Sequence, residues 1–182
     1  GTLEDFEIAL GRGEHTIELY AVSAQPEVAA RFKFIPTKSK KQDWIRFCPV
    51  PPSEPVNLVT RESVTTYYRF STDKPLKVTV IGPTELRVFT RIENHYQMRG
   101  RIHYRIQVKS QEKVVNTYQL SSVRSEVTTY ENNKKLIPGK AREFVIDVPD
   151  GRLTFEIAPL DKDKGTVLGR MLIPEKSVVL EN

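Results

Sequence analysis

The side chains that could perform acid–base or nucleophilic chemistry are few in this 182-residue chain. Its three histidines, His15, His95 and His103, do not show the close pairing that two ligands of one metal ion usually have. Cys48, the single cysteine, has no histidine near it in the sequence and lies among apolar residues, which favours an inert thiol. We therefore predict no catalytic residue, no metal site and no cofactor, and we expect that the protein is not an enzyme.

The carboxylates form no recognisable catalytic arrangement in the sequence. Residues 161–165 faintly resemble a calcium loop, but lysines stand between the carboxylates and Leu172 replaces the distal Glu that such a loop requires. Two acids that meet only in the folded chain would serve a glycosidase. A carbohydrate-active enzyme, or an ancillary domain of one, is therefore the alternative to a non-catalytic protein.

Six residues form the sharpest candidate for a ligand-binding surface. They are Arg87, Phe89, Arg91, Arg101, His103 and Arg105. The first three alternate along one strand-like run and the other three along the next, and the short connection between the runs predicts a hairpin with all six on its outward face. Like charges on paired strands need compensation. An acidic partner, with Phe89 as a stacking platform, would provide it, and so would neutralisation within the sheet.

The charge balance restricts the class of partner only mildly. The chain has 28 basic and 23 acidic residues, which are interspersed and give a net charge of +5, so we expect no nucleic-acid partner. Residues 38–41 form a basic segment before Trp44 that is either solvated or a contact for an anion or a membrane surface. The expected ligand is a protein or an acidic polysaccharide, and the sequence does not indicate an oligomeric state.

Alternation of apolar and polar residues is the main structural signal of the chain. In Ile102–Val108 every second residue is apolar, which is typical of a strand with one buried face. About thirteen such runs are separated by turn-forming residues, and no segment shows the period of a long helix. We predict an all-β protein, an antiparallel β-sandwich of jelly-roll or immunoglobulin-like type with little or no helix.

Turn chemistry predicts two hairpins. Residues 149–151 would turn between strands at Val145–Val148 and Leu153–Ile157, because an Asp-Gly pair supplies the positive φ of a tight turn. Residues 11–13 would turn a similar hairpin near the N-terminus.

The two predicted hairpins lie in segments that align with each other. Phe6–Pro36 aligns without gaps on Phe144–Pro174, with seven identities. We interpret the match as an internal repeat of a three-strand module end, and convergent strand–turn–strand chemistry is the alternative.

A proline-rich segment divides the chain. Residues 49–55 include four prolines and predict a semi-rigid linker. Residues 1–48 would then form a small or partial β unit, and residues 56–182 the main β-sandwich domain. A long loop within one sandwich is the alternative.

The segments Gly13–Leu19 and Pro138–Ile157 resemble a strand–turn–strand pattern that is common in accessory domains of bacterial envelope and secreted proteins. The resemblance implies an extracytoplasmic module, periplasmic or secreted, and identifies no functional residues; the composition is also compatible with the cytoplasm. Gly1 in place of Met favours a chain trimmed at its N-terminus, and an upstream anchor would bring the module near a membrane.

These observations predict a non-catalytic β-sandwich module that acts in binding or assembly in a bacterial envelope or secreted protein, with a protein or polysaccharide ligand. Two alternatives stand beside it: a catalytic or ancillary domain of a carbohydrate-active enzyme, and a purely structural spacer.

Overall fold

The computed structural model describes residues 6–10, 16–20, 30–33, 43–51, 53–61, 63–95, 100–162 and 166–177. The chain divides into two compact units, Gly1–Lys38 and Ser39–Asn182. The proline-rich segment predicted as a linker therefore belongs to the larger unit, together with the strand that precedes it. No helix in the described ranges is long and apolar enough to cross a membrane.

In the smaller unit, the described residues form neither helix nor strand. The prediction of strands within residues 6–10 and 16–20 is therefore wrong. The apolar side chains of these segments, among them Phe6, Ile8 and Leu19, are exposed, so their alternation meets no apolar layer that would support a sheet. The predicted turn at residues 11–13 lies outside the described residues.

The larger unit confirms the predicted all-β antiparallel class. Its described residues form ten strands, fewer than the number of alternating runs in the sequence, and include a 3₁₀ turn at Glu175–Ser177. The strands are β1 (Trp44–Phe47), β2 (Glu54–Thr60), β3 (Ser63–Phe70), β4 (Leu76–His95), β5 (Ile102–Ser110), β6 (Lys113–Ser122), β7 (Thr128–Tyr130), β8 (Leu136–Pro138), β9 (Arg142–Pro159) and β10 (Val167–Pro174).

The ten described strands pair in antiparallel fashion, and most neighbours in space are distant in sequence. The order is β6-β5-β9-β4-β10-β3-β2-β7, with β1 paired to β10 and β8 paired to β4. The first half of β4 pairs with the second half of β9, which also pairs with β5. The second half of β4 pairs with β10 on its other edge. The long β4–β9 pair therefore belongs to both layers of a sandwich-like fold.

Two predicted interruptions of these long strands are wrong. The alternating runs Leu76–Val80 and Leu86–Ile92, which Gly82 and Pro83 separate as turn-type residues in the sequence, are parts of the single strand β4, and the hairpin predicted at residues 149–151 is part of the continuous strand β9. Gly82 and Gly151 stand opposite each other, and the register shifts between Gly82 and Thr84. Residues with the chemistry of a turn are thus used here at a bulge, which also needs glycine.

The main core brings both halves of the long strand β4 into one buried cluster. Apolar residues from both halves of β4, such as Val78 and Val88, join one buried cluster with Ile106 of β5, Phe155 of β9 and Met171 of β10. Each of these five is almost inaccessible to solvent, and burying such a side chain contributes about 1.5–3 kcal/mol to folding.

A second, smaller core lies on the other face of β4 and β10. Leu58, Tyr67, Tyr130 and Leu168 are buried in it, and Phe89 packs against it. These residues come from β2, β3, β7, β10 and β4, and β7 also contacts β8. The outward face of β4 is therefore covered at its C-terminal end.

Candidate functional site

The six residues predicted as a ligand-binding surface do not lie on adjacent strands. Arg87, Phe89 and Arg91 are in β4, whereas His103 and Arg105 are in β5. The predicted hairpin between these strands is wrong because both edges of β4 have other partners. Along one edge of β4, β9 pairs with Leu76–Thr90 and β8 pairs with Glu93–His95. Along the other edge, β10 pairs with Arg87–Ile92. β9 in turn separates β4 from β5.

On β4, the predicted residues make contacts within the protein. The Arg87 guanidinium lies 4.0 Å from the centre of the Trp44 ring, and its Nε is 3.0 Å from Oε1 of Glu143. Phe89 is partly buried against the second core and does not offer a free ring for stacking. These contacts correspond to neutralisation within the sheet, the alternative that the sequence left open.

Arg91 is held between backbone and ring. Its Nη1 donates a hydrogen bond of 2.8 Å to the Gly139 carbonyl oxygen and its Nε donates one of 3.2 Å to the Tyr67 hydroxyl oxygen. Its guanidinium also lies 5.5 Å from the centre of the Tyr67 ring. Arg91 therefore ties β4 to β3 and to the residue that follows β8.

On β5, the predicted residues face β6 and line an open cleft of about 400 Å³. His103 stands opposite Ser121, and Arg105 stands opposite Gln119. The side chains of these four residues and of Asp161 line the cleft with both hydrogen-bond donors and hydrogen-bond acceptors. The sequence prediction included His103 and Arg105 of this cleft. It missed Gln119, Ser121 and Asp161, which also line it.

Asp161 fixes one end of this cleft. Its Oδ1 accepts hydrogen bonds of 2.7 Å from Arg105 Nη2 and 3.1 Å from Nε, and its Oδ2 accepts one of 2.7 Å from the Arg105 backbone N–H. The Leu160 N–H donates to the Arg105 carbonyl oxygen at 3.0 Å. Residues 160 and 161 therefore continue the pairing of β5 beyond the end of β9, and the Arg105 guanidinium is pre-positioned.

Arg101, the sixth predicted residue, precedes β5 and reaches the same cleft indirectly. Its Nη1 donates a hydrogen bond of 3.3 Å to Oγ of Ser121. Two residues, Gln111 and Glu112, join β5 to β6, and neither is a residue type that favours a tight hairpin turn, so no turn signal marked this pair in the sequence. Both adopt positive φ, 51° and 64°, as a two-residue hairpin turn of the primed type requires.

A second polar group, missed in the sequence, lies beside the second core. Glu93, whose side chain is 11% exposed, accepts hydrogen bonds from Arg69 Nη2 at 2.7 Å and from the Tyr130 hydroxyl at 3.0 Å. Burial and the adjacent negative charge of Glu93 raise the pKa of Tyr130 well above the usual tyrosine range. Arg69 also pairs with the more exposed Glu54. Tyr130 is therefore a neutral hydrogen-bond donor at ordinary pH, and this group joins β2, β3, β4 and β7.

Comparisons with known proteins assign no family. No family model and no curated protein matches the sequence. Among solved structures, the baseplate tripod of bacteriophage Tuc2009 aligns over 92% of this chain and 84% of its own, with 12% identity and a TM-score of 0.33. The CBM22-1–GH10 modules of Clostridium thermocellum xylanase 10B, complexed with xylohexaose, align over 76% of this chain and 27% of theirs, with 10% identity and a TM-score of 0.31. Similarity this low carries no assignment of function.

Proposed function

We propose that this chain is a non-catalytic β-sandwich module of a bacterial envelope or secreted protein, and that it binds a polysaccharide or a protein through the β5–β6 cleft. One observation carries the proposal: polar side chains converge on a concave surface from two paired strands and from Asp161. Strands hold such groups in fixed positions, which lowers the entropy lost when a ligand binds.

The chemistry of the cleft suits recognition better than catalysis. Among the described residues that line it, Asp161 is the one carboxylate, and it is engaged by Arg105. Hydrolysis of glycosides ordinarily uses two carboxylates on either side of the bond. The amide of Gln119, the imidazole of His103 and the hydroxyl of Ser121 instead suit the hydroxyl groups of a sugar or the backbone of a peptide.

A titration followed by NMR tests this proposal. Isotope-labelled protein is titrated with a panel of soluble neutral and carboxylated oligosaccharides, and amide shifts are mapped. We expect shifts to concentrate at residues 103–105 and 119–121. The Gln119→Ala variant should lower affinity about fivefold, since a hydrogen bond contributes about 1 kcal/mol to binding.

Thr117→Ala is the matched control, because Thr117 is an exposed residue of the same strand outside the cleft. It should bind as the unmodified protein does. The proposal fails if the panel leaves the cleft amides unmoved, or if shifts occur there but Gln119→Ala and Thr117→Ala bind equally. Release of shorter oligosaccharides during the titration would favour the carbohydrate-active enzyme instead.

A further inference from the structure

A second charged surface lies on the outer face of β1, β10 and β4, on strands that do not line the cleft. Arg46 of β1 and Arg87 of β4 both stand opposite Leu172 of β10, one on each side. Arg170 precedes Leu172 by two residues and therefore projects from the same face. The three residues Arg46, Arg87 and Arg170 are called the arginine triangle below.

The three arginines differ in their partners. Arg87 is fixed by the Trp44 ring and by the carboxylate of Glu143. Neither Arg46 nor Arg170 has a side-chain hydrogen bond or an ion pair with another described residue. The Nε of Arg170 is nevertheless buried, and so is that of Arg87, whose N–H does not point at the Glu143 oxygen 3.0 Å away. The buried Nε atoms are closed to a ligand, whereas the Nη groups of Arg170 are accessible and have no acceptor among the described residues, so an anionic group from outside can pair with them.

The carboxylates of this face lie on the strands around β10 and β1. Glu143 and Asp147 are on β9, Glu85 precedes Arg87 by two residues on β4, and Glu54 and Glu93 pair with Arg69. On β10 and β1, the described charged side chains of the same face are those of Arg46 and Arg170. On this face, the strands β10 and β1 themselves therefore carry positive charge, and the carboxylates belong to their neighbours.

The spacing of the arginines indicates the form of ligand that would fit. Neighbouring strands lie about 4.8 Å apart, so Arg46 and Arg87 leave the sheet about 10 Å apart, with Arg170 on the strand between them. Guanidinium groups bind carboxylates and sulfates through paired N–H donors. A chain with an anionic group on successive units would meet more than one arginine at once.

We propose that the arginine triangle is a binding site for an acidic oligosaccharide, whose carboxylate or sulfate groups engage Arg170 and Arg46 while Arg87 is held in place by Trp44 and Glu143. The site is separate from the β5–β6 cleft and does not depend on what the cleft binds. Association should weaken as salt is added, because the contacts are between charges near the surface.

Calorimetric titration of the full chain with three probes tests the site: an oligogalacturonate, a heparin oligosaccharide and a neutral xylo-oligosaccharide. Binding of the first identifies carboxylate as the recognised group, and binding of the second identifies sulfate. Binding of neither acidic probe, or an equal loss of neutral-probe binding in Arg170→Met, would overturn the proposal.

Arg170→Met provides the decisive variant. It should weaken binding by about tenfold or more, the effect of losing a charged hydrogen bond. The melting temperature should stay the same or rise, because the change removes a buried donor that has no acceptor. A fall in melting temperature together with unchanged affinity would show a structural role and contradict the proposal. Arg46→Gln, at an exposed position, should weaken binding without affecting the fold.

Two controls separate this site from general charge and from the cleft. Arg152→Glu makes a charge change at an exposed position of β9, and it should leave affinity for the acidic probe within twofold, about 0.4 kcal/mol. Gln119→Ala, in the cleft, should leave in place the part of the binding that Arg170→Met removes. If Arg152→Glu and Arg170→Met lost the same affinity for the acidic probe, net charge alone would explain the loss and the assignment of the site would be wrong.

Discussion

At the scale of residues, Arg87 and its neighbours on β4 show that an alternating pattern predicts the face of a side chain but not its contacts. The pattern places Arg87, Phe89 and Arg91 on one face of β4, and the opposite parity is indeed the buried one. What covers that face comes from distant parts of the chain. Trp44 lies beside Arg87, and the second core covers Phe89. A sequence pattern assigns a side chain to a face, but it does not identify the contacts made there.

Tyr130 provides a prediction about stability and pH. Its pKa is raised in the folded protein, first by burial and then by the charge of Glu93. Below about pH 10 the hydroxyl is neutral in both states, so stability is unaffected. Above that pH the unfolded chain releases this proton while the folded chain retains it, so stability falls by up to about 1.4 kcal/mol per pH unit for this group.

The Tyr130→Phe variant tests this linkage. At neutral pH it should lower the free energy of unfolding by about 1.5–3 kcal/mol, because the hydrogen bond to the Glu93 carboxylate is lost. As the pH rises above that of tyrosine ionisation, the difference from the unmodified protein should shrink. Urea unfolding at a series of alkaline pH values measures both effects. A difference that stays constant with pH would show that Tyr130 does not contribute to the alkaline loss.

At the scale of elements, strands with regular alternation were predictable and their interruptions were not. The runs that became β5 and β6 are confirmed as strands, although Gln111 and Glu112 between them are not typical turn residues. In β4 and β9, typical turn residues stand at a bulge within two continuous strands. β2 begins inside the proline-rich segment, where prolines argue against a strand. Local residue types do not distinguish a turn from a bulge, because both need glycine and interrupt the ladder.

Gly82 makes the bulge testable. A Cβ at this position would lie 1.9 Å from the Pro149 carbonyl oxygen and 2.7 Å from that of Val148. Both atoms belong to the backbone of β9, so one of the long strands must move. We expect Gly82→Ala to lower the free energy of unfolding by about 3 kcal/mol or more, measured by chemical denaturation.

Gly151→Ala is the comparison for that variant. Gly151 stands opposite Gly82 and has a φ of +103°, but a Cβ there would meet no atom within 4 Å. Its cost is backbone strain alone, about 1–3 kcal/mol. If Gly151→Ala lowers the free energy of unfolding more than Gly82→Ala does, the close approach of β4 and β9 does not explain why glycine is needed at position 82.

At the scale of the whole molecule, the fold depends on pairings that join distant segments. β10, near the C-terminus, lies between β4 and β3 and also holds β1. Asp161 completes the cleft from a position 56 residues away from Arg105. The alternating pattern of each strand is compatible with many orders of strands, because every strand offers one apolar face. The class of fold was therefore readable in the sequence, whereas strand order and the membership of the site were not.

β1 carries the last prediction, which concerns the extent of the folding unit. Trp44–Phe47 pairs with Met171–Pro174, and Ile45 and Phe47 pack against the main core. A fragment of residues 39–182 contains all ten described strands and should unfold cooperatively, with a circular dichroism spectrum typical of β structure.

A fragment of residues 49–182, which begins at the predicted linker, lacks β1 and leaves one edge of β10 open. Its stability should be lower by about 2–4 kcal/mol, because the apolar contacts of Ile45 and Phe47 are lost. Urea unfolding of both fragments gives the comparison. Equal stability would mean that β1 adds nothing to the sandwich, and the domain boundary would then lie at the proline-rich segment 49–55, as its composition predicts.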